Sequence, residues 1–198
     1  SALAGPMNDV YGNIALGHSA LNANVSGNNN IGIGSSALAL VTTGTDNIAI
    51  GYGAMDAATG AVSDNIAIGL NAMGNANNDS GIKNIAIGNY AGTAFGTAAV
   101  ANTVLIGNQA GAAINHANGS GSVMVGYQAG LALTSGAENT AIGYQAGKAM
   151  TTGGNLTAVG HNAATALPAG ANANTAIGAS ALLAGNNATT DHNTCVGY

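Results

Sequence analysis

The five residues Asn47-Ile48-Ala49-Ile50-Gly51 decide the fold, because versions of this unit recur through the whole chain of 198 residues. Successive units end in glycines that are 17 to 19 residues apart. These eleven glycines are Gly17, Gly34, Gly51, Gly69, Gly88, Gly107, Gly126, Gly143, Gly160, Gly178 and Gly197. So constant a period is typical of a solenoid, in which each repeat stacks on its neighbours to bury a shared core.

Each unit alternates in the period-two pattern of a strand, which predicts an all-β fold. We interpret residues 1–198 as a single parallel β-solenoid (β-roll) of eleven coils. In this interpretation the Ile positions point into the coil, the Ala or Gly between them points outward, and the final glycine permits a tight corner. With neighbouring strands about 4.8 Å apart, the stack is roughly 50 Å long.

The residues after each glycine predict one bulky side chain per coil. Where the fourth residue is large, as Met55 is, the residue three further on is small or polar, as Ala58 is. The reverse holds in other coils, as in Gly92 and Phe95. Close packing explains this compensation, and the spacing of three predicts a short helical turn or bent segment on this side of each coil.

Asn begins most of the units, which predicts a ladder of side-chain amides that bond along the stacking axis. Its members are Asn13, Asn30, Asn47, Asn65 and Asn84. A second ladder is predicted two places after the glycine, at Gln109, Gln128, Gln145 and Asn162. Charged residues are only 5% of the chain because stacking like charges in adjacent coils is destabilising.

The small residues in the middle of the strands predict a smooth outer face that packs against other chains, most simply around a three-fold axis. They are Ala15, Ala49, Ala67, Ala86, Ala141, Ala158 and Ala176. Leu105 and Met124 interrupt this strip, either as a hydrophobic knob at the interface or as a local shift of register. The expected partner is therefore another copy of the chain.

Composition excludes several functions. Two Lys and no Arg cannot supply the clustered positive charge that nucleic-acid binding needs. No apolar run is long enough for a transmembrane helix, and the single Cys195 excludes an intrachain disulfide framework. The scarcity of Lys and Arg leaves trypsin-like proteases little to cut, which favours an extracellular or virion-surface location. No signal peptide, cofactor or metal site is expected from the sequence.

Joining Tyr198 to Ser1 completes a further unit, since Gly197-Tyr198-Ser1-Ala2-Leu3 is close to Gly17-His18-Ser19-Ala20-Leu21. Ala2 then falls on the position that is Ala in every coil. The hypothesis is that the chain is open at both ends. It would be either a segment of a longer solenoid or a unit that stacks end to end.

The strand unit resembles the head repeat of trimeric autotransporter adhesins, the YadA-like or haemagglutinin-type repeat. It is also similar to the NTAIGYQA repeats of phage tail-fibre and other surface proteins, through Asn139-Thr140-Ala141-Ile142-Gly143-Tyr144-Gln145-Ala146. The resemblance extends over essentially the whole chain. It implies a left-handed parallel β-roll, trimerisation and surface attachment, and it carries over no catalytic residue.

Candidate ligand sites are few, and no Ser/His/Asp arrangement indicates an enzyme. Tyr127, Tyr144 and His161 follow the glycine in consecutive coils, so they predict an aromatic strip for a sugar such as a host-surface glycan. Thr140, Thr157, Thr175 and Thr194 form a rank that suggests ice binding, although the same interpretation of the strand places them on its inward side. Asp46 and Asp64 are too isolated to predict a calcium site.

The function expected from the sequence is a non-enzymatic structural protein, forming an extracellular fibre, an adhesin or a phage tail-fibre rod by stacking of coils and lateral packing. The alternative is a ligand-binding solenoid, with a carbohydrate at the aromatic corner or ice on the Thr rank.

Overall fold

The chain folds into a parallel β-solenoid in a computed structural model that describes residues 10–24, 26–59, 61–76, 82–96, 99–183 and 191–198. In these ranges eleven strands form one sheet in sequence order, which confirms the predicted all-β architecture. The strands are β1 (Ile14–Leu16), β2 (Ile31–Ile33), β3 (Ile48–Ile50), β4 (Ile66–Ile68), β5 (Ile85–Ile87), β6 (Val104–Ile106), β7 (Val123–Val125), β8 (Thr140–Ile142), β9 (Thr157–Val159), β10 (Thr175–Ile177) and β11 (Thr194–Val196).

All neighbouring strands pair in the same register, so each position of the repeat forms a straight rank along the stack. Leu105 lies between Ala86 and Met124 in this register, and Met124 pairs with Ala141. The prediction of a local shift of register at these two residues is therefore wrong. Differences in repeat length are absorbed between the strands.

The predicted orientation of the strands is reversed in the structure. Six of the seven Ala residues expected on the outer face are at most 1% exposed and belong to the core: Ala49, Ala67, Ala86, Ala141, Ala158 and Ala176. Ala15, in the first strand, is half-buried and packs against the same core. The Ile residues on either side of each small residue point to solvent instead. The Ala face is thus a packing face inside the chain and not between chains.

The bulky residues after the glycine explain this reversal, because they already occupy the space inside the coil. A methyl group at Gly32, in the middle of β2, would lie only 3.3 Å from Cγ of Leu21. Leu21 and its counterparts Met55, Met73, Phe95, Ile114, Leu133, Met150 and Leu167 are all buried, as the predicted compensation requires. Only a small strand residue fits opposite them in most coils.

Leu105 and Met124 are the two large residues on the inner side of the strands, and both are fully buried. Room for them comes from glycines at the fourth position. A Cβ at Gly111 would lie 2.7 Å from Cδ2 of Leu105, and one at Gly130 would lie 2.5 Å from Sδ of Met124. They are core residues, so the prediction of a knob at an interface is also wrong.

The strand-ending glycine is required on two independent grounds, which Gly69 illustrates. Its φ of +135° lies outside the region that L residues adopt easily. A Cβ there would also lie 2.6 Å from the carbonyl carbon and oxygen of Gly88 in the next coil. Glycine therefore permits both the corner and the close approach of successive coils.

The segment after each glycine is bent and not helical. In the described residues the one helix is a 3₁₀ turn at Ala117–Gly119, outside this segment. The second and fourth residues after the glycine adopt left-handed angles, as Gln109 does at φ 57° and Gly111 at φ 55°. Left-handed angles at these two positions direct the backbone amides to the neighbouring coils. The Gly111 amide, for example, donates to the Ala129 carbonyl at 2.9 Å. Of the two predicted forms, a helical turn and a bent segment, the bent one is therefore observed, and it is bonded to the neighbouring coils.

Candidate functional site

The outward side of the sheet is the most extensive candidate site, and we call its part in β1–β7 the aliphatic face. It consists of Ile14, Leu16, Ile31, Ile33, Ile48, Ile50, Ile66, Ile68, Ile85, Ile87, Val104, Ile106, Val123 and Val125. Every outward side chain in these strands is aliphatic, and Ile106 is 37% exposed although its neighbours in the rank cover it on both sides. Stacking within the ranks buries part of these groups, and the part left exposed makes the face a candidate for intermolecular contact.

The outward chemistry changes at β8, where Thr replaces the first aliphatic residue of each strand. Thr140, Thr157, Thr175 and Thr194 pair in register, which forms one straight rank of hydroxyl and methyl groups. Thr140, Thr157 and Thr175 are half-buried on the outer side, and Thr194 is exposed. The sequence interpretation placed these residues on the inner side, and that placement is wrong because the whole strand is reversed.

The Asn ladder is formed as predicted, at the inner edge of the strands. Asn30, Asn47, Asn65 and Asn84 are fully buried, and Asn13, in the first coil, is half-buried. The Nδ2 of Asn47 donates to Oδ1 of Asn30 at 3.0 Å and to the carbonyl of Val62 at 2.7 Å. Each Oδ1 also accepts the backbone amide of the next Asn in the series, as Asn13 does from Asn30 at 2.8 Å. These bonds satisfy amides that burial would otherwise leave at a high energetic cost.

The aromatic corner brings Tyr127, Tyr144 and His161 together as a continuous stack. The ring centres of Tyr127 and Tyr144 are 5.2 Å apart with planes inclined by 17°, and those of Tyr144 and His161 are 5.1 Å apart at 9°. Their ring faces therefore lie against one another, and mainly ring edges and polar atoms meet solvent. Sugars stack on open ring faces. Rings that are stacked on one another expose less of their faces to a sugar than rings lying flat in a strip would. Carbohydrate binding stays a prediction.

The second predicted ladder lies beside this corner and is partly confirmed. Nε2 of Gln128 donates to Oε1 of Gln109 at 2.8 Å, and Nε2 of Gln145 donates to Oε1 of Gln128 at 2.9 Å. Asn162 is one carbon shorter, and its Oδ1 is buried without a hydrogen-bond partner. The ladder of direct amide bonds thus joins three coils.

A small polar cleft lies among the bent segments that follow the strand-ending glycines of three neighbouring coils, and sequence reasoning missed it. It has a volume of about 130 Å³ and is lined by Asp56, Asn71, Gly74, Asn75 and Thr93. Partial burial raises the pKa of the Asp56 carboxyl, although hydrogen bonds from the backbone amides of Ala57 and of Asp56 itself act in the opposite direction. A single carboxylate among neutral groups provides no pair of groups for acid–base catalysis.

Several other titratable residues contact neutral polar groups. Asp46 accepts a bond from Nδ2 of Asn29 at 3.2 Å, and His18 pairs with the hydroxyl of Ser19 at 3.1 Å. Nδ1 of His116 accepts the Asn118 amide at the start of the 3₁₀ turn. Within the described ranges, no three His, Cys, Asp or Glu side chains are placed to share a metal ion.

The single cysteine and the chain ends are the last features that the sequence analysis singled out. Cys195 pairs with Ala176 in register, is half-buried against the core and has a free thiol. The predicted joining of the ends depends on Ser1, Ala2 and Leu3, which lie outside the described residues. Among the residues that are described, no helix has the length and hydropathy to span a membrane.

Comparison with known proteins adds no functional evidence to the geometry described above. No family model, no curated protein and no solved structure matches the chain.

Proposed function

We propose that this chain is a non-enzymatic structural rod that assembles laterally with copies of itself, as part of an extracellular fibre, an adhesin or a phage tail fibre. The observation that carries the proposal is the aliphatic face, which is straight, in register and partly exposed on the outer side of the sheet. Assembly into a fibre gives it a role.

The dimensions and chemistry of the outward sheet surface support self-association. Six strand spacings of about 4.8 Å give the aliphatic face a length of about 29 Å, and with a width near 10 Å it covers roughly 300 Å². That area is at the lower end of the range of the largest apolar patches on protein surfaces, which are often functional. A second copy has the same axial period, so its aliphatic ranks match those of the first chain over β1–β7.

The same area favours a trimer over a pair of chains. A standard interface covers about 800 Å² on each partner, and the flat face alone provides less. In a three-fold arrangement each chain meets two neighbours, so the corners beside the face also become buried. Low charge suits this packing, since a charged side chain on the face would be buried without a partner.

Electron microscopy of the purified chain tests the assembly directly. We expect rods about as long as one solenoid or longer, and wider than a single coil. Images that contain only isolated, single-coil-width particles at micromolar concentration contradict the proposal.

A second candidate function, ice binding, gains support from the orientation of the Thr rank. Thr140, Thr157 and Thr175 face outward in register, each beside an aliphatic residue in the same strand. Such a regular array of hydroxyl and methyl groups can hold water molecules in an ordered layer. An ice-recrystallisation assay tests it: the wild type should inhibit crystal growth, and Thr157→Lys should abolish the effect. A wild type without inhibition excludes this function.

A further inference from the structure

Tyr127 and Tyr144 are the one pair of tyrosines whose rings contact each other in the described residues. Both follow a strand-ending glycine, so they take the same corner position in consecutive coils. Their ring centres are 5.2 Å apart, and their planes differ by 17°. Near-parallel rings at this distance hold the two phenols side by side, so that rotation of the side chains can bring the carbons ortho to their hydroxyl groups together.

The fold fixes this spacing through bonds on both sides of the rings. The backbone amide of Gln145 donates to the carbonyl of Tyr127 at 2.9 Å. The side-chain amide of Gln145 donates to Oε1 of Gln128, also at 2.9 Å. The two coils are therefore tied together beside the rings, so the fold holds the phenols as neighbours and they need not meet by diffusion.

The pair is also accessible, since Tyr127 is 43% and Tyr144 46% exposed. Tyr52 is a natural comparison, because it takes the same corner position without an aromatic neighbour. Hydrogen bonds place it between Ser35 and Leu70: Gly53 donates to the Ser35 carbonyl, and Asn71 donates to that of Tyr52. An oxidant that reaches both Tyr52 and Tyr144 finds a second phenol in contact only at Tyr144.

We propose that Tyr127 and Tyr144 form an oxidative cross-linking site, at which a peroxidase-class oxidant joins the two phenols into dityrosine within one chain. Each phenol loses one electron and one proton to become a phenoxyl radical. The two unpaired electrons form one carbon–carbon bond between ortho carbons, and the hydrogens on those carbons move to the oxygens and restore both phenols. One hydrogen peroxide takes up the two hydrogen atoms and becomes two waters.

The product is a covalent link between the coils of β7 and β8, closing a loop of 18 residues from Tyr127 to Tyr144. Such a link restricts the unfolded chain more than the folded one, as a disulfide does. In a protein with a single cysteine, it supplies the covalent reinforcement that disulfides give to other exposed proteins. This inference stands apart from the proposed function, since the cross-link forms in a lone chain as well as in an assembly.

The sequence offers a sharp test, because the chain contains one Glu, at position 138, and it lies between the two tyrosines. The chain is treated at low concentration with a haem peroxidase and hydrogen peroxide, denatured, and cut with a Glu-specific protease. An unlinked chain separates into residues 1–138 and 139–198. We expect the treated wild type to remain joined after cleavage, with a mass two hydrogens below that of the untreated fragments combined.

Two Phe variants provide the matched controls, since Phe keeps the ring and removes the phenol. Tyr144→Phe should lose the joined product, with at least a tenfold fall in yield expected from the lost proximity. Tyr52→Phe should give the same yield as the wild type. Complete separation of the treated wild type, a joined product that persists in Tyr144→Phe, linkage of Tyr144 to His161, or products that form only as dimers at high concentration each overturn the proposal.

Discussion

Nδ2 of Asn65 donates to Oδ1 of Asn47 at 3.1 Å, and both side chains are fully buried. Their amides lie in successive coils, so neither coil satisfies its own buried polar group alone. The stack is therefore held by polar bonds inside its core as well as by apolar packing. In most soluble domains a buried Asn is an exception, whereas here it belongs to the repeat.

Replacing Asn65 with Ala should lower the free energy of unfolding by about 2–4 kcal/mol, because buried groups lose their partners. The backbone amide of Asn84 now donates to Oδ1 of Asn65 at 3.1 Å and would lose this acceptor. Urea denaturation followed by circular dichroism measures the change. Asn22 is exposed, so Asn22→Ala should shift stability by less than about 0.5 kcal/mol. Equal effects of the two substitutions contradict a structural ladder.

Leu105 and Gly111 should show strong coupling, because Leu105 occupies the space that a side chain at position 111 would need. Leu105→Ala alone should cost about 2–4 kcal/mol through the cavity it leaves. Gly111→Ala alone should cost about 1–3 kcal/mol through overpacking. The double variant copies the arrangement of Ala158 and Ala164 three coils later. It should cost about 1–2 kcal/mol less than the two single changes added together.

Urea titration of the wild type, both single variants and the double variant completes this cycle. Costs that add within about 0.5 kcal/mol would mean that the two residues do not share one slot.

Asp56 should make stability depend on pH in a defined direction. Burial raises the pKa of this carboxyl above its ordinary 3.8, so the folded chain binds the proton more tightly than the unfolded chain does. The resulting stabilisation is complete below the unfolded pKa and is lost as the pH rises through the folded pKa. Asp56→Asn should therefore melt at a higher temperature than the wild type at neutral pH, where the wild-type carboxylate is charged.

Thermal melts at neutral pH and below the ordinary Asp range check this prediction. The difference between the variant and the wild type should shrink in acid, where both side chains are neutral. A difference that is constant with pH, or a less stable variant at neutral pH, contradicts a destabilising charge in the cleft.

The sequence predicted the position and register of the strands well, because the repeat marks them directly. The Asn ladder followed from the same regularity, since residues at one repeat position must stack. Tyr127 and Tyr144 were predicted to form an aromatic strip for a sugar, and the packing of their rings on each other was not predicted. The strand orientation did not follow, because the alternation in Ile48-Ala49-Ile50 shows that two faces exist without showing which one is inside. The larger apolar side chain of Ile suggested that Ile is the buried residue. Other side chains already fill the coil interior, so the strand Ala is buried instead.

A signal for the correct orientation was present in the sequence. Thr140 and Thr157 replace Ile at the first strand position, and a hydroxyl rank is easier to place in solvent than in a core. Leu21 and Met55, outside the strands, already provided the bulk that the coil interior needs. The cleft at Asp56 had no comparable signal, since it depends on the absence of a side chain at Gly74.

Sedimentation velocity of the Ile50→Lys/Ile87→Lys variant tests the assembly through the aliphatic face most directly. Both residues point outward from the sheet, so the variant should fold normally while two charges oppose burial of the face. Leu40→Lys is the matched control, because Leu40 is 48% exposed but lies outside the strands. We expect the wild type and Leu40→Lys to sediment as oligomers and the double variant as a folded monomer. A monomeric wild type, or a double variant that remains fully oligomeric, contradicts the account.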